Sequence, residues 1–183
     1  MLEYKLVTKE NLNAVFKIQK TIWPDFPDIS HFIESISSKD NWFKYYIVTL
    51  DGQEIGLTGH YPENEERETI WLGWFGILSE YRSKGYGKQV LLDTIEMCKK
   101  SPYKYFRAYS TETYDASAQP LYQKIMNLCE RYENWKDETY GNSTVVYSYS
   151  LRNQVIEPWD NKYIGIKEFD EKANLANELL KSK

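Results

Sequence analysis

The chain has 183 residues, enough for one domain with a proper hydrophobic core. An aromatic content of 16 %, with 16 Tyr and 6 Trp, excludes a disordered chain, because these side chains pack as hydrophobes while offering a polar tip. A net charge of −4 without any Lys/Arg-dense block excludes the electrostatic footprint of a nucleic-acid binder, and no apolar run approaches the length of a membrane span.

Tyr4 to Val7 is short and β-favouring and predicts a first strand, with Thr8 as the N-cap of the next element. From Leu12, the apolar positions Val15, Phe16 and Ile22 predict an amphipathic helix that ends before Pro24. Trp23 to Asp28 is turn material, and Ile29, Phe32, Ile33 and Ile36 predict a second short helix in which His31 is an ordinary helix-start residue. Phe43 to Leu50 reads as a strand, Asp51-Gly52 as a hairpin turn, and Glu54 to Tyr61 as the return strand. Glu63 to Glu66 is expected to be a solvated turn.

The most informative stretch begins at Ile70. An apolar segment, Ile70 to Leu78, leads into Arg82-Ser83-Lys84-Gly85-Tyr86-Gly87-Lys88, and Val90, Leu91, Thr94, Ile95 and Cys98 then repeat at helical spacing. This predicts a strand, a tight glycine loop and a helix. Gly85 and Gly87 let the backbone turn and come close to a ligand, and the unpaired amides at the helix start favour negative charge. The loop is therefore an anion site. A P-loop requires GxxxxGK[ST], and a dinucleotide fingerprint requires a glycine where Val90 stands, so neither motif fits. What remains, RxxGxG after an apolar strand, resembles the pyrophosphate-binding motif of the GNAT superfamily of acetyl-coenzyme A dependent N-acetyltransferases. Gly73 and Gly76 inside the preceding strand predict a bulge or a close backbone approach.

Ser101-Pro102 stops the helix, and Tyr105 to Tyr109 predicts the next strand. Asp115 to Lys124 places Ala118, Leu121, Tyr122 and Ile125 on one helical face. It resembles the family segment NxxAxxLYxK, in which the small alanine lets the cosubstrate pass and the tyrosine hydroxyl points at the coenzyme A sulfur. Asp115 stands where the family usually has asparagine, and Pro120 is expected to distort the helix if it lies beyond the first turn. Arg131 to Thr139 and Thr144 to Leu151 alternate as the strands of a hairpin with its turn near Gly141-Asn142. The element order over about residues 3 to 151 then matches the family's. The domain is accordingly expected over residues 1–151, with residues 152–183 as an extension packed on it or on a second subunit. That extension begins with a turn at Pro158 to Asn161 and holds a strand at Tyr163 to Ile166 and an amphipathic helix marked by Ala173, Ala176 and Leu180.

The resemblance implies an α/β fold with a mixed, mostly antiparallel sheet splayed between its fourth and fifth strands. It implies an acetyltransferase that uses acetyl-CoA as cosubstrate and needs no metal, and whose acceptor, a small-molecule amine or a peptide, is partly bound by the first helix–loop–helix. The cosubstrate diphosphate would lie on the amides from Ser83 to Lys88, with charge from Lys84 and Lys88. Arg82 would brace the loop or touch phosphate, and Ile77 and Leu78 would flank the pantetheine arm, with Asp115 and Ala118 also beside the cosubstrate. Tyr122 would protonate the thiolate. Relatives that carry a strand-four base place Glu or His at positions corresponding to Trp71 and Gly73, so the base is sought in His60, in Glu68 or Glu112 acting through water, or in ordered water alone. A homodimer is common in the family. Cys98 and Cys129 lack any CxxC or Cys/His grouping and read as reduced packing residues, and no signal-peptide pattern opens the chain, so a cytoplasmic location is expected. A coenzyme A binding module that senses without catalysis, and transfer of an acyl group to a protein N-terminus or lysine, are the alternatives.

Overall fold

The computed structural model describes residues 1–25, 28–63, 66–111, 116–133 and 143–159. They fall into two compact units, one of residues 1–62 and 71–101, the other of residues 63–70 and those from 102 onward.

In the first unit, β1 (Leu2–Leu6), β2 (Lys44–Leu50) and β3 (Gln53–Pro62) form an antiparallel meander. Asp51 and Gly52 close the β2–β3 hairpin with φ of 49° and 84°, the left-handed pair whose twist matches the strands. Helices α1 (Leu12–Ile22) and α2 (Ser30–Ser37) cover one face, where Val15, Ile18 and Phe32 pack with Tyr45, Ile47 and Leu57. Val15 and Ile18 are buried, with Ile22 partly buried on the same stripe; Phe16, expected to join it, lies about 100° round the helix and is 39 % exposed. Ile33 is likewise exposed on α2. Helix α3 (Tyr86–Cys98) takes the opposite face, where the Thr58 and Thr94 hydroxyls are hydrogen-bonded at 2.8 Å and Tyr4 donates to Asp93 at 2.5 Å.

The single strand predicted over residues 70–78 is broken into β4 (Thr69–Leu72) and β5 (Gly76–Ile77). The Gly73 amide donates to the Gly59 carbonyl at 3.0 Å, and Gly76 pairs with Leu57. Between those contacts β3 supplies one residue, Thr58, whereas the opposing chain supplies two, Trp74 and Phe75. This is the two-against-one geometry of a bulge, and Trp74 bears its strain with φ of 41°. The glycines that bracket the bulge are required by their neighbours. A Cβ on Gly76 would come within 2.8 Å of the Trp23 ring, and one on Gly73 within 2.5 Å of the Tyr45 hydroxyl.

In the second unit, β6 (Tyr105–Thr111) and β7 (Leu128–Glu133) both pair antiparallel with β8 (Ser143–Ser150). Strand β7 starts at Leu128 rather than Arg131, and residues 134–142, with the expected Gly141-Asn142 turn, lie outside the described residues. Helix α4 (Gln119–Ile125) follows a 3-10 turn at Ala116–Ala118. Pro120 is the second residue of α4, where no intrahelical donor is needed, so the distortion expected of it does not arise. Every strand pairing described within the two units is antiparallel, in an α/β chain.

A buried polar network holds the second unit together. Arg107 donates through Nη1 to Ser148 Oγ at 2.7 Å and through Nη2 to the Glu157 carbonyl at 2.8 Å, and it forms a 3.5 Å ion pair with Glu130. Tyr132 donates to Glu130 at 2.6 Å, as does the Trp159 amide at 2.9 Å. The Trp159 indole N–H reaches Glu66 at 3.0 Å. Glu66, expected in a solvated turn, is therefore buried, because a distant tryptophan and an arginine neighbour compensate its charge.

Candidate active site

The glycine loop is built as the sequence suggests. Gly85 holds φ of 88° at the N-cap of α3, and Ser83 holds φ of 60°, so the chain reverses through two left-handed residues before the helix begins. A Cβ on Gly85 would meet nothing within 4 Å, so the conformation, not crowding, demands glycine there. The side chains of Arg82, Ser83, Lys84 and Lys88 are exposed around it, with Tyr86 and Gly87 half-buried. The Arg82 Nε donates to the Ile77 carbonyl at 2.8 Å, tying the loop to β5. Lys84 donates to the Glu80 carbonyl at 2.8 Å and lies over the Tyr81 ring. The Leu78 amide is engaged with the Ile55 carbonyl at 2.8 Å.

In the second unit, Tyr122 is buried on α4 with its ring 5.3 Å from that of Tyr147, and Ala118 precedes α4 half-buried. Asp115 and Glu112 lie outside the described residues. Glu68 is on the surface, paired with Lys104.

His60 is 2 % exposed on β3. Its Nδ1 lies 2.7 Å from the Trp42 carbonyl; a carbonyl only accepts, so Nδ1 carries the proton. Burial lowers its pKa, outweighing the opposing hydrogen bond to Trp42. The register places it with Thr58 and Tyr46 on the face covered by α3. On the other face, at the start of α2, an aromatic cluster gathers around the bulge. Trp23 and Trp74 meet edge to face at 5.1 Å, Phe32 stacks on Trp74 at 5.9 Å, and His31 stands edge-on to Phe43 and Tyr61.

The model of the acetyltransferase (GNAT) family matches residues 12–128. The chain belongs to this family. No curated protein matches it in sequence. Solved structures share its fold at low identity. The ribosomal-protein-S18-alanine N-acetyltransferase of Escherichia coli is 15 % identical with a TM-score of 0.64, over 85 % of this chain and all of that one. An Arabidopsis thaliana protein in complex with the bisubstrate analogue CoA-Ac-MVNAL is 14 % identical with a TM-score of 0.64, over 81 % of this chain and 98 % of its own. A GNAT family acetyltransferase from Elizabethkingia anophelis with acetyl-CoA bound is 17 % identical with a TM-score of 0.56, over 72 % of this chain and 88 % of its own.

In this acetyltransferase, the strand-four positions where the resemblance looks for a base hold Trp71, which is buried, and Gly73, which has no side chain. From sequence alone His31 reads as an ordinary helix-start residue, and Tyr45, Arg107 and Trp159 carry no assigned role. The first two become noticeable only through their contacts across strands. Arg107, inside the apolar and aromatic run from Tyr105 to Tyr109, is the one with a readable signal, since a charge there must find a buried partner. Among the described residues no group of His, Cys, Asp and Glu is arranged to hold a metal ion, and no helix is long and apolar enough to cross a membrane.

Proposed function

We propose that this acetyltransferase moves an acetyl group from acetyl-CoA to a primary amine, on a small molecule or a peptide, by direct attack and without a covalent enzyme intermediate. The observation that carries the reading is the loop from Arg82 to Lys88. Two left-handed residues present the start of a 13-residue helix, with lysines beside it and an arginine bracing it from behind. Diphosphate oxygens would accept from the amides of Ser83 to Lys88, and Lys84 and Lys88 would add charge. Ile77, Leu78, Ala118 and Asp115 stay assigned to the cosubstrate through the likeness of their segments to the family's.

The thioester is already activated, so the protein's work is orientation and proton management. An alkylamine with a pKa near 10.4 costs roughly 4 to 5 kcal/mol to hold neutral at pH 7, which a base or a desolvating pocket must offset. Backbone amides at the bulge would hold the developing oxyanion, and Tyr122 would return a proton to the departing thiolate. His60 as the base is disfavoured by its burial and by its place on the α3 face, away from the bulge cluster. Neither cysteine is suited to be a nucleophile, since burial pushes both thiols well above their ordinary range. The reading takes the protein as cytoplasmic, where buried Cys98 and Cys129 stay as thiols.

Binding of acetyl-CoA and of CoA by calorimetry, followed by thiol release against an aliphatic diamine, free lysine and a pentapeptide with a free N-terminus, tests the proposal. Binding with amine-dependent thiol release is expected. Binding without release from any amine would favour a sensing module, for which the lack of a titratable group at Trp71 and Gly73 is the specific argument. No binding would mean that the glycine loop is only a turn.

A further inference from the structure

The space that a side chain at Gly73 would fill is already occupied, from two strands away. Tyr45 on β2 stands opposite Gly59 on β3, and the Gly73 amide bonds to Gly59 in turn. With no Cβ on either glycine, the Tyr45 ring lies across both, and its hydroxyl arrives where the first carbon of residue 73 would be, 2.5 Å from that ideal Cβ. At this spot the hydroxyl meets His31 Nδ1 at 3.2 Å. His31 is half-buried as the second residue of α2, and the helix start is fixed by Asp28, whose carboxylate accepts from the Ser30 amide at 2.8 Å and from the Ser30 hydroxyl at 2.9 Å. The imidazole ring is held edge-on by Tyr61 at 5.6 Å and Phe43 at 6.2 Å. Its Nε2 has no hydrogen-bond partner among the described residues.

We propose that His31 is the catalytic base of the acetyl transfer and that Tyr45 is its positioning residue. This rests on the transfer reading under the proposed function. When Nδ1–H donates to the Tyr45 oxygen, Nε2 keeps its lone pair and takes a proton from the acceptor nitrogen. The nitrogen pair forms the new C–N bond to the thioester carbonyl carbon, the C–S bonding pair leaves with sulfur, and the imidazolium passes its proton to solvent. A base supplied from α2 stands in for one on strand four because Gly59 and Gly73 clear the path for the tyrosine that orients it. The titratable side chains against the imidazole are Tyr45, through its hydroxyl, Tyr61, through its ring, and, on its own segment, Asp28. The Asp28 carboxyl is held below its ordinary range chiefly by the Ser30 hydrogen bonds, with a smaller share from His31.

The test compares His31→Gln and Tyr45→Phe with the wild type, using the acceptor among the diamine, lysine and pentapeptide that releases thiol fastest. His31→Gln is expected to lower kcat about 100-fold or more, the lower end of what a positioned base contributes, and to remove the acidic limb of the kcat/KM profile while acetyl-CoA affinity is unchanged. Tyr45→Phe keeps the ring in its slot but removes the acceptor, and is expected to shift that limb with a drop in kcat of about 10-fold. Long-range 1H–15N spectra should show neutral His31 protonated at Nδ1; the Nε2–H tautomer would overturn the inference whatever the rates. Thiol release that survives His31→Gln, limb included, would overturn it while leaving acetyl transfer standing. A wild type that releases no thiol with any acceptor would overturn the transfer reading itself and this inference with it.

Discussion

Trp159 donates its indole N–H to a carboxylate oxygen of Glu66, 93 positions earlier in the chain, at 3.0 Å, with both side chains buried. The Trp159 amide also donates to Glu130, and its ring meets Tyr132 at 5.3 Å, so one residue closes over two carboxylates. Replacing it with alanine removes a large buried ring and a donor to a buried charge together. Trp159→Ala is therefore expected to cost about 3 to 5 kcal/mol, read as a lower urea midpoint. Trp159→Phe, which retains most of the ring but not the N–H, should cost less. A midpoint unmoved by Trp159→Ala would show that the network stands without its last member.

The glycine loop makes a separate prediction, about affinity. Gly87 lies in the first turn of α3, where the amides that would hold phosphate emerge, so Gly87→Glu adds bulk and a negative charge at that point. Acetyl-CoA affinity should fall more than 100-fold in calorimetry with the thermal midpoint nearly unchanged. Affinity that survives the substitution would place the cosubstrate elsewhere.

Tyr122 is open to a sharper test because its ring and its hydroxyl serve different purposes. The ring is buried against Tyr147, which a phenylalanine would also satisfy. If the hydroxyl protonates the thiolate, Tyr122→Phe should lower kcat about 10- to 100-fold with KM and stability little changed. An unchanged kcat would return the residue to packing alone.

The parts of this fold that local rules dictate were readable in advance. Asp51-Gly52 made its turn, the α3 stripe from Val90 to Cys98 is buried, and Gly73 and Gly76 bracket a bulge because glycine inside an apolar strand needs a reason. What escaped notice depends on partners far apart in sequence. Nothing near Glu66 announces the tryptophan that buries it, and nothing near Tyr45 announces that two glycines later in the chain, Gly59 and Gly73, leave room for its ring. Phe16 misled for a subtler reason. It is as apolar as its neighbour Val15, and only the registration of α1 on β3 decides which of the two faces the sheet. The two glycines mark the bulge, but the apolar run carries no mark of which residue, Trp74, turns left-handed between them.

His60 supplies a prediction about pH. Burial lowers its pKa from 6.5, so between that value and the folded one the unfolded chain binds more protons than the native chain. Stability from keeping His60 neutral is thus fully present above about pH 6.5 and is lost as pH falls toward the folded pKa, by no more than about 1.4 kcal/mol per pH unit. Denaturant midpoints at pH 7.5 and pH 5.5 should fall further for the wild type than for His60→Gln, which has no group to protonate there. Gln can still donate toward the Trp42 carbonyl, so the comparison isolates the proton from the hydrogen bond. Equal falls in the two proteins would mean that His60 is as readily protonated in the folded chain as in the unfolded one, and that its burial does not hold it neutral.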